Sequence, residues 1–495
     1  VTPTPLPVPV GGGGLIALSA YVDGNWDIYA VRLDSLDSAP GNRPPLQWIR
    51  LTSHPAEDRF PAFSPDGQRL AFASRRDGHW DLYVLWPNGA IAQLTDDPPY
   101  DGAPAWSPDG ERLAFDSLSG GDLDVWMMDA VPGGDAVNLT EDSASGEFDP
   151  VWSPDGRQIA FTSWRYEDED LFSLSLETGE VRQLTSFPAE EHLYDWSAGD
   201  GVDDADELLF VVNEGEWQDV YSRSSGLAPE AVGTRLTRWR WIDAPTRSPD
   251  GTTLAYLYRR PHGAQLSLHE PGELPIRLTE DMVLAGPLSW TGAVAPWQEA
   301  QGEPVVLYTE KTAPGDDAPY DLQRLEGITV GNPWLSDRVD DSFHAMRQRI
   351  VDETGHDFLV HLSDAWRAVS FESGASSYTS WHKAGRAIDT LMDYLSPDRR
   401  HRWLEVALEP SAGDVYWRLY LRCERQDGSQ GIPLKVRPWD VTAGARANLR
   451  GGRFKPAPEG YYVDLTATMA EYGWLRIAAH DHPDFHWHTN FVALE

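Results

Sequence analysis

A five-residue signature, aromatic-Ser-Pro-Asp-Gly, returns along the first two-thirds of the chain and sets the period of everything around it. It stands as FSPDG at 63–67 and as WSPDG at 106–110 and 152–156, with RSPDG at 247–251. Worn copies occur at 196–200 (WSAGD) and 289–292 (SWTG). Each intact copy leads into an alternating apolar run: RLAFAS at 69–74, RLAFDS at 112–117, QIAFTS at 158–163 and TLAYLY at 253–258. Such alternation makes a strand with one buried face. Ser-Pro-Asp-Gly is the tight turn before it, with Pro presetting φ and Gly taking the position of positive φ. A second strand follows, WDLYVL at 80–85, with counterparts at 26–31 (WDIYAV), 123–128 (LDVWMM), 169–174 (EDLFSL) and 218–223 (QDVYSR). A Leu-Thr pair closes each unit, at 51–52, 94–95, 139–140, 184–185, 236–237 and 278–279, with spacings of 42 to 52 residues.

Four short strands per unit at this period suit blades arranged radially, each sheet stacked on the next. One unit alone cannot bury both of its faces. The alternative is a non-closing β-solenoid or stacked meander. The pattern runs over about 14–330. Five units are complete, and 14–52 and 285–327 supply two imperfect ones. Seven blades result if these stand alone, and six if the two ends share one. Pairing of the first and last strands would remove the exposed edges.

The SPDG and Leu-Thr pattern resembles the bacterial WD40-like repeats of TolB and of the prolyl oligopeptidase propellers, most strongly over 51–185. The resemblance implies a scaffold that binds a protein or peptide at one end of a ring. It does not imply catalysis, and no Gly-x-Ser-x-Gly nucleophile elbow follows. Asp27, Asp81, Asp124, Asp170 and Asp219, at the start of the second strand of each unit, are expected to hold turns and not substrate.

Bulk properties narrow the partners. The 495-residue chain has a formal net charge of -38, a field that repels nucleic acid. Cys423 is the single cysteine, so no intramolecular disulfide and no cysteine metal cluster can form. No run of 18 apolar residues is present, so no transmembrane helix is expected. The start, VTPTPLPVPVGGGG, reads as a Pro/Thr stalk and Gly hinge, giving a linker over 1–13. The expected location is extracellular or in the cell envelope, periplasmic if there are two membranes, reached through an export segment absent from this chain.

From about 331 the period disappears. SFHAMRQRIVDETG at 342–355 reads as an amphipathic helix with Phe343, Met346 and Ile350 on one face and Gly355 as its stop. Residues 358–367 read as a strand running into a loop, and 415–423 as a strand. Residues 458–479 suggest strand, helix over 465–472, and strand. An α+β domain over 331–495 is expected. The 401–450 stretch, with ERQDGSQG at 424–431, reads as an inserted or elaborated hairpin.

Four of the 14 histidines, His480, His482, His486 and His488, lie in the last 16 residues. In Phe485-His486-Trp487-His488, alternation directs both imidazoles to one face of a strand, a metal half-site that needs ligands from elsewhere. The best supplier is Ser380-Trp381-His382-Lys383-Ala384-Gly385-Arg386-Ala387-Ile388-Asp389. By spacing alone a second reading stays open: His382 caps local structure, and His486 and His488 are surface residues.

Ser-x-His-x-x-Gly-x-Ala-x-Asp followed by His-x-His resembles the motif pair of the zinc D-Ala-D-Ala carboxypeptidase, lysostaphin-type peptidase and hedgehog superfamily, over roughly 335–495. The resemblance implies Zn2+ held by His382, Asp389 and His488, with His486 assisting the water. Arg367 matches the arginine that holds a substrate carboxylate in the carboxypeptidase branch. That branch places Glu three residues before the last His. Here Phe485 stands there, and Asp484 beside it is the substitute base. The implied function is cleavage of a cell-wall peptide, such as a peptidoglycan stem peptide, with the propeller recognising substrate or a protein partner. The alternative is a non-catalytic envelope scaffold with a structural or degenerate metal site.

Overall fold

The computed structural model describes residues 13–493 apart from 34–45, 144, 167, 200–205, 215–216, 261–262, 294, 309–320, 366–385, 391–402, 412–413, 441–442, 444–451 and 477–489. The chain divides into two compact units, Val1–Pro304 and Val305–Glu495.

In the first unit the Ser-Pro-Asp-Gly turns close as their chemistry dictates. Ser64 Oγ donates to Asp66 Oδ1 at 2.5 Å, and the same carboxylate accepts from Gln68 N at 3.0 Å. Arg69 N returns to Ser64 Oγ at 3.0 Å, and the set repeats at 107–112, 153–158 and 248–253. Gly67 sits at φ +63°, and a Cβ there would lie 2.4 Å from Ala293 Cβ, so both backbone and space demand glycine.

Six four-stranded antiparallel sheets follow from these turns. Their inner strands are Asp58–Phe63, Asp101–Trp106, Glu147–Trp152, Glu190–Ser197, Ile242–Arg247 and Leu284–Thr291. Each packs on the next in that order, and Leu284–Thr291 packs on Asp58–Phe63, so the ring closes with six blades. The two ends of the unit share one blade. Leu284–Thr291 pairs with Leu15–Val22, with Leu15 opposite Thr291 and Ala17 opposite Ser289. That sheet is completed by Asn25–Arg32 and Gln47–Arg50; we call it blade 1, and the others 2 to 6 in chain order. Of the described residues of 285–327, those to Thr291 form this inner strand, and Ala295 and Trp297 pack against Phe63 and Phe72 of blade 2.

The Leu-Thr pair recurs because its hydroxyl completes a buried hydrogen bond that the strands leave open. Thr52, Thr95, Thr140, Thr185, Thr237 and Thr279 accept from the backbone N–H groups of Ile28, Leu82, Val125, Leu171, Val220 and Leu266, at 2.8–3.0 Å. The leucines and strand residues fill apolar layers between blades. Ala160 and Leu171 of blade 4, for example, pack against Leu193, Trp196 and Phe210 of blade 5. The turn aromatics lock neighbours together. Trp106 Nε1 donates to Ala62 O of the preceding blade at 2.9 Å, and Trp152 Nε1 to Ala105 O at 3.1 Å. Arg69 lies 4.5 Å from the Trp106 ring centre and donates to Gly110 O.

The second unit is mostly β among the described residues, with two α-helices. α1, Asp340–Thr354, buries Phe343, Met346 and Ile350 and ends at Gly355 in the left-handed region, φ 76°. α2, Leu465–Glu471, starts at Asp464, whose carboxylate accepts from Ala467 N. One sheet orders Leu362–Asp364, Ala387–Thr390, Asn490–Ala493 and Trp474–Arg476. The other orders Leu404–Ser411, Asp414–Arg422, Tyr461–Asp464 and Ile432–Pro433. The 404–422 hairpin supplies Leu404, Leu419 and Leu421 to the same core as Phe343, Ile388 and Trp474, so it is integral to the fold and not an addition to it.

Candidate functional site

Of the six residues expected to form a zinc site, the structure describes Asp389; Arg367, His382, Asp484, His486 and His488 lie outside the described residues. Asp389 is the third residue of the strand Ala387–Thr390, follows the buried Ala387 and Ile388, and is itself 8% exposed. On one side it lies opposite Asp364, and on the other opposite Asn490. Ser363 Oγ donates to the Asp389 carbonyl at 3.2 Å. The strand of the first motif and the strand that follows the His-x-His motif are therefore direct neighbours in one sheet.

The propeller carries a second constellation, which repeat reading did not single out. Glu169, Glu190 and His192 bring one ligand atom each within 4.8 Å of the others, a set able to coordinate a metal ion. Glu169 immediately precedes the third strand of blade 4, Asp170–Ser175, and Glu190 and His192 open the inner strand of blade 5. Both carboxylates are buried. Trp164 Nε1 donates to Glu169 Oε1 at 2.6 Å, and Asn213 Nδ2 to Glu190 Oε2 at 2.8 Å. His192 Nε2 is 3.4 Å from Glu169 Oε2. The signal lay in the repeat itself: Glu169 occupies the place that Trp26 and Trp80 hold in their blades.

The repeated aspartates have structural work at the Leu-Thr segment, at the outer strand and at the bend that follows, where Asp219 accepts from Arg240 N at 3.2 Å. Asp124 accepts from Thr140 Oγ1 at 2.9 Å and Asn138 Nδ2 at 2.8 Å, and Asp219 accepts from Thr237 Oγ1 at 2.8 Å and from Arg235. Asp27 pairs with Arg50 at 2.6 Å. Burial raises the pKa values of Asp27, Asp81, Asp124 and Asp170. It pushes Asp27 up to about 6 against the pull of Arg50. It pushes Asp81 up to about 7, helped by Asp96, Asp97 and Asp77, and Asp170 up to about 7, helped by Asp168.

Comparison with known proteins finds a family match within the first unit. Residues 87–271 match the family model of the TolB beta propeller domain, PD40. Among solved structures the chain is similar to TolB from Acinetobacter baumannii, at 20% identity and a TM-score of 0.47, over 56% of this chain and 66% of that one. That match spans just under two thirds of the Acinetobacter protein. It is also similar to a putative TolB from Agrobacterium tumefaciens (20% identity, TM-score 0.36, 48% of this chain and 87% of that one). A puromycin-hydrolyzing peptidase from Mycobacterium tuberculosis is matched at 18% identity and a TM-score of 0.37, over 56% of this chain and 46% of that one. No curated protein matches the chain. No described helix is long and apolar enough to cross a membrane.

Proposed function

We propose that the C-terminal unit is a zinc-dependent hydrolase of cell-wall peptides, a carboxypeptidase or endopeptidase, and that the propeller recognises substrate or a protein partner in the cell envelope. One observation carries the reading: Asp389 lies opposite Asn490. Two peptide units separate His488 from Asn490, and covalent geometry alone limits the Cα atoms of such a pair to about 7 Å. Three separate Arg367 from Asp364, the other neighbour of Asp389. Motifs about 99 residues apart in the chain are thus tethered to one row of a sheet.

Two imidazoles and one carboxylate, from His382, His488 and Asp389, are the donor set of a catalytic zinc site with an open position. A zinc ion held by these residues would supply a water of lowered pKa and polarisation of the scissile carbonyl. Asp484 or His486 would take a proton from the attacking water and deliver it to the leaving amine. Arg367 pairs bidentately with a substrate carboxylate, as at a peptide C-terminus.

Phe485, standing where the carboxypeptidase branch has its Glu, favours the second reading, an envelope scaffold with a structural or degenerate metal site. Zinc content separates both from a metal-free protein. The wild type is expected to hold one more equivalent than His382→Ala, and equal content in the two would exclude both. Release of fragments from muropeptides then separates enzyme from scaffold.

A further inference from the structure

Four of the six blade junctions, from blade 1 to blade 5, offer an internal comparison. At each, three positions meet: the residue before the repeated aspartate of one blade, and the two residues flanking Asp58, Asp101, Glu147 or Glu191 of the next blade. Backbone bonds fix the equivalence. Asp101 N, Glu147 N and Glu191 N donate to Trp80 O, Leu123 O and Glu169 O. Between blades 1 and 2 the three positions hold Trp26, Glu57 and Arg59, with the Arg59 guanidinium 3.4 Å from the Trp26 ring centre and 3.4 Å from Glu57. Between blades 2 and 3 they hold Trp80, Tyr100 and Gly102, and between 3 and 4 Leu123, Gly146 and Phe148. At these three junctions the place is filled by aromatic, apolar or small groups, with one Glu57–Arg59 ion pair. Between blades 4 and 5 all three positions change to metal-donor side chains, Glu169, Glu190 and His192.

We propose that Glu169, Glu190 and His192 bind one divalent first-row transition cation, such as Zn2+ or Mn2+, at the junction of blades 4 and 5. Glu169 is 0% and Glu190 5% exposed, and their ligand atoms and that of His192 lie within 4.8 Å of one another. One divalent cation balances both carboxylates. The imidazole selects against Ca2+ and Mg2+, which prefer all-oxygen shells. Trp164 Nε1 and Asn213 Nδ2 each hold one oxygen of a carboxylate, the outer-shell hydrogen bonds that orient metal ligands. The His192 side chain is 15% exposed and supplies the way in. The ion joins Glu169 of one blade to two residues of the next, so it pins the ring at that seam. This site is independent of the C-terminal zinc reading.

The test uses the full chain carrying His382→Ala and His488→Ala, stripped with chelator and titrated separately with Zn2+, Mn2+ and Ca2+. Calorimetry should show one equivalent of Zn2+ or Mn2+ bound, with a raised melting temperature, and no such effect of Ca2+. Adding Glu190→Gln should weaken binding roughly tenfold or more and remove the thermal shift. His192→Gln, at the most exposed ligand, should do the same and reads the site if Glu190→Gln does not fold. Absence of binding in the parent protein, or binding that both substitutions leave intact, would overturn the proposal. Binding of Ca2+ as tight as that of Zn2+ would overturn the assigned class of ion.

Discussion

Asp389 and Asn490 face each other across two antiparallel strands of the C-terminal sheet. Their pairing makes the strand that follows the His-x-His motif a direct neighbour of the strand that ends the first motif. It also makes Asp389 a residue whose carboxylate and backbone have separable duties, since the strand pairing uses only the backbone. Asp389→Asn is expected to keep the fold, with a melting temperature within a few degrees of wild type, and to lose the C-terminal equivalent of zinc. Circular dichroism melting beside metal analysis checks this.

Trp106 and Trp152 carry the contact between consecutive blades through one indole N–H each. Trp106→Phe keeps most of the ring contact and deletes the bond to Ala62 O, which should cost about 1 kcal/mol. Trp106→Ala also removes a large buried side chain and should cost about 3–5 kcal/mol. Urea unfolding followed by tryptophan fluorescence ranks the two.

The Thr140 hydroxyl links two groups, since it accepts from Val125 N and donates to Asp124 Oδ1. Thr140→Val matches the shape but strands a buried N–H and removes a donor from a buried carboxylate. The expected loss is about 1–3 kcal/mol. The same change at an exposed threonine such as Thr178 should be neutral within about 0.5 kcal/mol. The difference between the two midpoints measures what the Leu-Thr repeat contributes.

Asp81 and Asp170 give the propeller a pH dependence of definite sign. Their folded pKa values, each about 7, lie above the unfolded carboxylate value because burial disfavours charge. The folded state thus holds protons that the unfolded state has released between about pH 4 and 7. Their contribution is fully present below pH 4 and is lost as pH rises toward 7. The turn residues Asp66, Asp109, Asp155 and Asp250 oppose this at the acid end, because serine hydroxyl and backbone donors hold their pKa values down. Their contribution is present above about pH 4 and is lost as pH falls below it. Asp81→Asn is expected to raise stability at pH 8 by on the order of 1–2 kcal/mol and to change little at pH 4. Melting curves across pH 4–8 for both proteins test the slope.

The ring was legible because its chemistry is local. Ser64, Asp66 and Gly67 build their turn from bonds within six residues, so the motif announces the strand that follows. The Leu-Thr pair was visible as a period, but its purpose was not, since Thr140 meets Val125 only after the strands pair. Blade number depended on Leu15 meeting Thr291, a contact across the whole propeller that no local pattern encodes. Glu169 was readable as a departure from Trp26 and Trp80, yet Glu190 and His192 become its partners only when two blades stack. In the C-terminal unit, helix α1 followed from its apolar spacing and Gly355. The 404–422 hairpin looked like an addition because the leucines that anchor it contact the core only in three dimensions.

Hydrolysis of purified muropeptides by the zinc-loaded full chain, with His382→Ala measured beside it, tests the account most directly. Wild type should release peptide or amino-acid products that chelator abolishes and added zinc restores, and His382→Ala should release none under either condition. Equal product from both proteins, or none from zinc-loaded wild type, would contradict it.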